Sequence, residues 1–237
     1  MNKSLLLFLA IALVLTSCEN QPTQNRLTEQ EKEEGWQLLF DGKTLNGWHI
    51  YNQPDAQPVW KVIEGVIECD PDKHEGESGD LVTDKVFENF ELTFEWQLKE
   101  AGNSGVFINV LEDPEYLAAW FTGPEYQLLD SGNKDFEVLE KRSGCVYGFS
   151  PQITETAIKP VGEWNFSKIK QSNGKVEFYL NGNLTGRVDF NSDEWKAFVA
   201  NSTFKNFPTF GESTKGRIAL QLWNSPVWFR NIKIKEF

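Results

Sequence analysis

The clearest regularity in the chain is the alternation over Phe90-Glu91-Leu92-Thr93-Phe94-Glu95-Trp96-Gln97-Leu98. Phe90, Leu92, Phe94, Trp96 and Leu98 recur at every second residue and share one face of a strand, and Glu91, Thr93, Glu95 and Gln97 share the other. Shorter strand signals surround it: Trp60 to Ile63 and Val66 to Glu68 about a turn at Gly65, Asp80 to Thr83, and Gly105 to Leu111. Phe166 to Lys170 and Val176 to Leu180 flank Asn173-Gly174, a pair suited to a turn with two positive φ angles. Asn181-Gly182 repeats that device before Leu184 to Phe190, and Gly216 to Trp223 and Val227 to Lys235 close the chain. One helix is expected over Ser192 to Ala200, with Ser192 at its N-cap. Many short antiparallel strands separated by turn residues predict an all-β sandwich or barrel with at most one or two short helices.

The first residues stand outside this pattern. Lys3 and the apolar run Leu5 to Leu15 are too short to span a bilayer, which takes about 20 apolar residues. They form a secretory signal. Leu15-Thr16-Ser17-Cys18 resembles the bacterial lipobox, which implies removal of residues 1–17 and lipidation of Cys18. The expected location is the bacterial cell envelope, periplasmic or outer-membrane surface, with membrane contact only through that N-terminal lipid. Residues 18–34 are polar and acidic and predict a flexible tether, with Leu27 to Glu34 either more tether or one short surface helix. Residues 35–237 make one domain with a substantial core.

Composition adds three restrictions. The net charge of -12 excludes nucleic acid as a partner, since its phosphates demand a basic surface. His49 and His74 are the only histidines and belong to no zinc-spaced cluster, so no metal site is expected and no cofactor is named by any motif. Cys69 and Cys145 are left once Cys18 is spent on lipid; an oxidising compartment permits a disulfide between them, and the sequence leaves that pairing open.

The candidate chemistry centres on Glu125-Tyr126-Gln127-Leu128-Leu129-Asp130. On a strand, Glu125 and Gln127 share a face, and a bulge would return Asp130 to it. That spacing matches the catalytic strand of concanavalin-like β-glucanases, whose two carboxylates lie about 5–5.5 Å apart in the retaining reaction. Around it, Glu95, Gln97, Asn103, Ser104, Asn109, Lys141 and Arg142 offer polar side chains for a sugar's hydroxyls. Trp120, Tyr147, Trp164 and Trp223 fall outside the apolar alternation and are candidates to stack on a sugar ring, whereas Trp60, Trp96 and Trp228 fit the core.

From Trp36 onward the chain resembles the 3-keto-disaccharide hydrolase family. The resemblance rests on Leu39-Phe40-Asp41-Gly42-Lys43-Thr44-Leu45-Asn46-Gly47-Trp48, Gly79-Asp80-Leu81, Phe94-Glu95-Trp96, Gly102-Asn103-Ser104-Gly105-Val106-Phe107 and Glu125 to Asp130. It continues through Gly144 with Tyr147-Gly148, Gly162-Glu163-Trp164-Asn165, Leu180-Asn181-Gly182 and Val227 to Ile232, in family order. Membership implies a concanavalin A-like jelly roll and a substrate that is an oligosaccharide or glycoside with a ketone at C3.

Such a ketone acidifies the hydrogen on C2, so a base can remove it, the C1 substituent departs, and water can add afterwards. Among the residues available, the base is expected to be Glu125 or Glu95, and the contacts to the developing enolate Lys141, Arg142 or Asn103. Asp130 would orient a hydroxyl or assist the leaving group; Gln127, Gln97, Tyr147, Trp120 and Trp223 would hold the sugar. Two family features are missing: a His soon after Asp130, where Ser131-Gly132-Asn133-Lys134 stands, and Asp-His after Leu220-Gln221, where Leu222-Trp223-Asn224 stands. A groove without those proton carriers relies on carboxylates alone, takes a different substrate, or only binds sugar. A non-catalytic carbohydrate-binding module and a retaining glycosidase using Glu125 and Asp130 are the alternatives.

Overall fold

The structure is a computed structural model that describes residues 24–237. Cys18 and the signal segment lie outside the described residues.

Thirteen strands and two α-helices follow in order: α1 (Glu29–Glu33), β1 (Gln37–Leu38), β2 (Trp48–Ile50), β3 (Lys61–Ile63), β4 (Val66–Cys69), β5 (Leu81–Thr83), β6 (Phe90–Leu98) and β7 (Asn103–Val110). Then come β8 (Glu125–Leu129), β9 (Asn165–Ser172), β10 (Lys175–Leu180), β11 (Asn183–Asp189), α2 (Asp193–Asn201), β12 (Arg217–Leu220) and β13 (Val227–Glu236). They form two antiparallel sheets, the sandwich among the two forms that the strand pattern allows and the jelly roll that the family resemblance implies. The larger runs β11-β10-β9-β6-β13-β4-β3, with β1 also on β13; the smaller runs β2-β5-β12-β7-β8.

The core between the sheets is aromatic. Phe94 on β6 meets the edge of Tyr126 on β8 at 5.7 Å between ring centroids, and Tyr126 meets Phe178 on β10 at 4.8 Å. Both are edge-on arrangements that aromatic quadrupoles favour. Tyr126 also spans the sheets with its hydroxyl, which lies 2.7 Å from Ser167 Oγ and donates to the Tyr179 carbonyl at 3.0 Å. Ser167 in turn accepts from Trp96 Nε1 at 2.8 Å. This bridge fixes β8, and with it the neighbouring Glu125 and Gln127, relative to the whole sandwich. Asn109 belongs to a second bridge rather than to a groove: its amide exchanges hydrogen bonds of 2.7 and 2.9 Å with Gln171.

Local predictions survive in detail. Asn173-Gly174 and Asn181-Gly182 adopt positive φ at both residues. Ser192 caps α2 by accepting from the Trp195 amide at 3.1 Å. Several expectations need correction. Trp60 and Trp96 are buried in the core, but Trp228 is half-buried on the outward face of β13, opposite Gln97 and Glu68.

The stretch expected to be a tether up to residue 34 is attached to the domain from residue 24. Asn25 exchanges hydrogen bonds of 2.6 and 2.8 Å with Asn231 and donates to the Gly65 carbonyl, and α1 carries Glu31 to an ion pair with Lys233 at 2.6 Å. Polar composition misleads at Gln24 and Asn25 because docking there runs through hydrogen bonds, which need no apolar side chain, while over Leu27 to Glu34 the short surface helix is the alternative that forms. Cys69 and Cys145 are both buried and unbridged; Cys69 lies on β4 of the larger sheet, while Cys145 precedes Tyr147 beside β8.

Candidate active site

The smaller sheet has one face in the core and one face under two long loops. On β7, Val106 and Ile108 enter the core, which turns Asn103, Gly105 and Phe107 outward; on β8, Tyr126 and Leu128 enter it and Glu125 and Gln127 turn outward. The register sets Gly105 opposite Gln127 and Phe107 opposite Glu125. Nearly every residue of β7 is buried, so both faces of this strand are covered.

The cover comes from residues 111–123 and from 191–213, which includes α2. These walls touch each other: the Gly211 amide donates to the Thr122 carbonyl at 2.8 Å, and Trp120 and Phe121 pack on Phe207.

Beneath the loops lies a pocket of about 230 Å³. Glu125, Gln127, Asn103 and Gln221 supply its polar floor, with Tyr147, Thr203, Phe204, Trp120 and Trp223 around it. A second pocket of equal size adjoins it, lined by Tyr51, Gln53, Ser78 and Asp80 among others. Trp120, Gln221 and Trp223 border both. The two pockets form one groove pinched between two tryptophans.

The floor is prepared for hydrogen-bond donors. Glu125 Oε1, Gln127 Oε1 and Gln221 Oε1 are enclosed and have no hydrogen-bond partner, and among the described residues no other enclosed side-chain atom is in that state. An unpaired enclosed oxygen costs about 1–3 kcal/mol, so three in one pocket favour a ligand rich in hydroxyls. Gln127 is oriented by its other end, Nε2, which donates to Asn103 Oδ1 at 3.0 Å. Glu125 fits because Gly105 beneath it has no side chain.

Two carboxyls in the groove hold protons unusually firmly. Burial pushes the Glu125 carboxyl well above the ordinary glutamate value, and the Asp80 charge adds to the shift. Burial pushes Asp80 up to about 6, opposed by the backbone N–H groups of Leu222 and Ala119 that donate to it. The Leu222 bond is 3.0 Å long. Neither carboxyl has a cation among the influences on it, so each keeps its desolvation cost. Two carboxyls raised in this way and facing one groove suit proton transfer. Among the described residues no three His, Cys, Asp or Glu side chains are grouped to hold a metal ion.

Sequence reasoning therefore assembles part of this site. Glu125, Gln127, Asn103, Tyr147, Trp120 and Trp223 all line the first pocket. Lys141 stands behind it, with Nζ 5.6 Å from the centre of the Tyr147 ring and 3.4 Å from Asp135. Partial burial pulls its pKa down, but Tyr147 and Asp135 outweigh that and hold it above the ordinary lysine value.

Four expected site residues lie elsewhere. Glu95 is on the larger sheet, bonded to Arg230 at 2.6 Å, and Arg230 lies over Trp164. Gln97 faces the same way and donates to the Gly162 carbonyl. Asp130 does not return to the Glu125 face, because β8 pairs with β7 without a bulge; its Oδ2 instead accepts from the Ala101 and Gly132 amides at 2.8 and 2.9 Å. Arg142 is turned to the Phe136 ring and carbonyl and to Glu155, lining a separate cleft.

Asp80 and Gln221 join the site without being among the residues that the strand pattern marks. The signal for Asp80 was present in Gly79-Asp80-Leu81, one of the stretches that carry the family resemblance. Gln221 follows Leu220 at the end of β12, and nothing in its neighbours distinguishes it from an ordinary polar residue.

Comparison with known proteins agrees with this geometry. Residues 35–235 match the family model described as a 3-keto-alpha-glucoside-1,2-lyase-like domain. A 3-keto-disaccharide hydrolase of Bacteroides thetaiotaomicron is 32% identical over 232 residues, covering 85% of this chain and 78% of that protein. The solved structure of a candidate glycosyl hydrolase from Parabacteroides distasonis superposes with a TM-score of 0.81 at 37% identity, covering 90% of this chain and 99% of that one. A second candidate glycosyl hydrolase from the same organism gives 0.66 at 25% identity, covering 85% and 99%.

Proposed function

This chain belongs to the 3-keto-alpha-glucoside-1,2-lyase-like family, and from that premise we propose that its groove cleaves glycosides carrying a ketone at C3. The observation that carries the reading is the enclosed Glu125 carboxyl, unpaired by any cation and flanked by the unpartnered oxygens of Gln127 and Gln221. A carboxyl in that state holds its proton more firmly than an ordinary glutamate and can hand it to a bound oxygen, and the amide oxygens accept from sugar hydroxyls.

The chemistry follows from the ketone. Removing the C2 proton leaves an enolate, whose charge rests partly on the C3 oxygen. Collapse of the enolate expels the C1 substituent and leaves a C1–C2 double bond, and water adding across that bond completes a hydrolysis. Glu125 is a proton-transfer group in this sequence, Trp120 and Trp223 stack on the sugar rings, and the Asn103 amide and Tyr147 hydroxyl approach the oxygens. The same reading keeps the chain in the bacterial envelope, tethered through a lipid on Cys18.

Of the alternatives, the retaining glycosidase needs Asp130 beside Glu125 as its second carboxylate, and Asp130 is committed to the turn at Ala101 and Gly132. The binding module differs from the enzyme in outcome rather than in geometry. Incubation with a 3-keto-glucoside and, separately, its unoxidised parent decides among the three. Aglycone release from the keto compound alone supports the proposal, and release from both favours the glycosidase. Saturable binding without release makes the protein a sugar-binding module.

A further inference from the structure

Elsewhere among the described residues, several half-buried and buried carboxylates have found partners. Glu112 is held by His49 and Arg217, Glu68 by Lys73 and His74, Glu95 by Arg230 and Glu31 by Lys233. Asp130 is satisfied by two backbone amides. Glu125 breaks this pattern, with its Oε1 enclosed and unpartnered, and Asp80 is held by backbone N–H groups alone, without a cation. They lie in the two adjoining pockets, one in each, on either side of the pinch formed by Trp120, Gln221 and Trp223. An uncompensated enclosed carboxyl lowers stability, and a fold that keeps Glu125 in that state, with a second carboxyl without a cation facing the same groove, holds the two for chemistry.

Their surroundings differ in a way that assigns the proton. Asp80 accepts N–H bonds from Leu222 and Ala119, and such donors favour the charged carboxylate. Glu125 Oε1 has no donor at all and is enclosed, which favours the neutral acid. Leu222 stands between Gln221 and Trp223, so the backbone that holds Asp80 also shapes the wall common to both pockets. A glycoside lying across the pinch therefore meets the Asp80 carboxylate in one pocket and the Glu125 acid in the other.

We infer that Asp80 is the base that takes the C2 proton and that Glu125 is the acid that protonates the departing oxygen. The assignment rests on the proposed cleavage of 3-keto-glycosides. In the first step an Asp80 oxygen bonds the C2 hydrogen, and the C–H electron pair becomes the C2–C3 π bond as the C3 carbonyl pair moves onto oxygen. In the second, the carbonyl re-forms, the C2–C3 pair shifts to C1–C2, and the C1–O bond breaks with its electrons on the aglycone oxygen. That oxygen takes the Glu125 proton. Asp80 ends protonated and Glu125 ionised, and exchange with water restores both. No oxidant or reductant is consumed.

Wild type, Asp80→Asn and Glu125→Gln are incubated in heavy water with two 3-keto-glucosides, one with an alkyl and one with a 4-nitrophenyl aglycone. Asn keeps an oxygen for the Leu222 amide and Gln is isosteric with Glu, and thermal melts check that both variants fold. Asp80→Asn is expected to lose aglycone release from both compounds by about 10²–10⁴-fold and to incorporate no deuterium at C2. Glu125→Gln is expected to incorporate deuterium at C2 of recovered alkyl glycoside, and to recover most of its rate with the 4-nitrophenyl compound, whose leaving group needs no proton. Deuterium incorporation by Asp80→Asn, or failure of the 4-nitrophenyl group to rescue Glu125→Gln while wild type cleaves both, overturns the assignment and leaves the proposed function standing. A wild type that cleaves neither keto compound defeats the proposed function, and the assignment with it.

Discussion

Glu125 occupies space that only a glycine at position 105 leaves free. A methyl group on Gly105 would overlap Glu125 Oε1 and stand 2.7 Å from its Cγ and Cδ, well inside van der Waals contact. The two residues sit on paired strands, β7 and β8, whose register is fixed by the cross-sheet Tyr126–Ser167 bridge next to Glu125.

Gly105→Ala is accordingly expected to swing the carboxyl out of the groove while the strand pairing survives. Misplacing a reacting group by about 1 Å costs roughly 10²-fold, and kcat/KM on a 3-keto-glucoside is expected to fall by at least that. A circular-dichroism melt shows whether the fold is kept.

The two tryptophans at the pinch should separate binding from stability. Trp223 is 48% exposed, and its replacement by Ala should leave the melting temperature unchanged. Lost stacking of about 0.5–1.5 kcal/mol raises KM or Kd by roughly 2–13-fold. Trp120 is packed on Phe121 and Phe207 at 4.5 and 4.8 Å, so Trp120→Ala should weaken both affinity and the fold.

Asp80 gives the stability a pH signature. Its folded value of about 6 lies above the ordinary 3.8, so the folded state binds the proton more tightly than the unfolded chain. Its contribution is most favourable below the ordinary aspartate value, declines as pH rises toward about 6, and is level above that. Asp80→Asn removes the penalty. Thermal melts should show the variant more stable than wild type at pH 8, by roughly 1–3 kcal/mol, with the difference shrinking toward zero at pH 4.

Cys69 and Cys145 should behave as separate inert thiols. Burial is the main influence raising both, to about 12 in each case, and they are unbridged. Reducing agent should leave the melting temperature unchanged, and a thiol-specific reagent should label them only after denaturation. A reductant-sensitive melt would mean that a bridge forms.

What the sequence discloses and what it conceals follow from the sandwich itself. Alternation over Phe90–Leu98 correctly separates core from outward positions. A sandwich has two outward faces, however, and the pattern is the same on both. Glu95 and Gln97 therefore look like Glu125 and Gln127, although only the latter pair faces the groove.

Asp130 was misplaced by assuming a bulge, a feature of strand pairing that a single strand's sequence does not carry. Asp80 escaped notice because Leu81, Val82 and Thr83 after it are all buried. The loops over the smaller sheet turn its outward face apolar and erase the alternation that would have marked one side. Gln24 and Asn25 were read as tether for a related reason: they dock through hydrogen bonds to Gly65 and Asn231, which composition does not reveal.

The central claim is that cleavage of a 3-keto-glycoside takes place over Glu125 on the smaller sheet. Its most direct test is aglycone release from an alkyl 3-keto-glucoside, whose leaving group needs a proton, by wild type, Glu125→Gln and Glu95→Gln, side by side with the unoxidised alkyl glucoside. The account predicts release from the keto compound alone, abolished in Glu125→Gln and kept within a few-fold in Glu95→Gln, whose carboxylate is engaged by Arg230 on the other sheet. Undiminished release by Glu125→Gln, or loss only in Glu95→Gln, would contradict it.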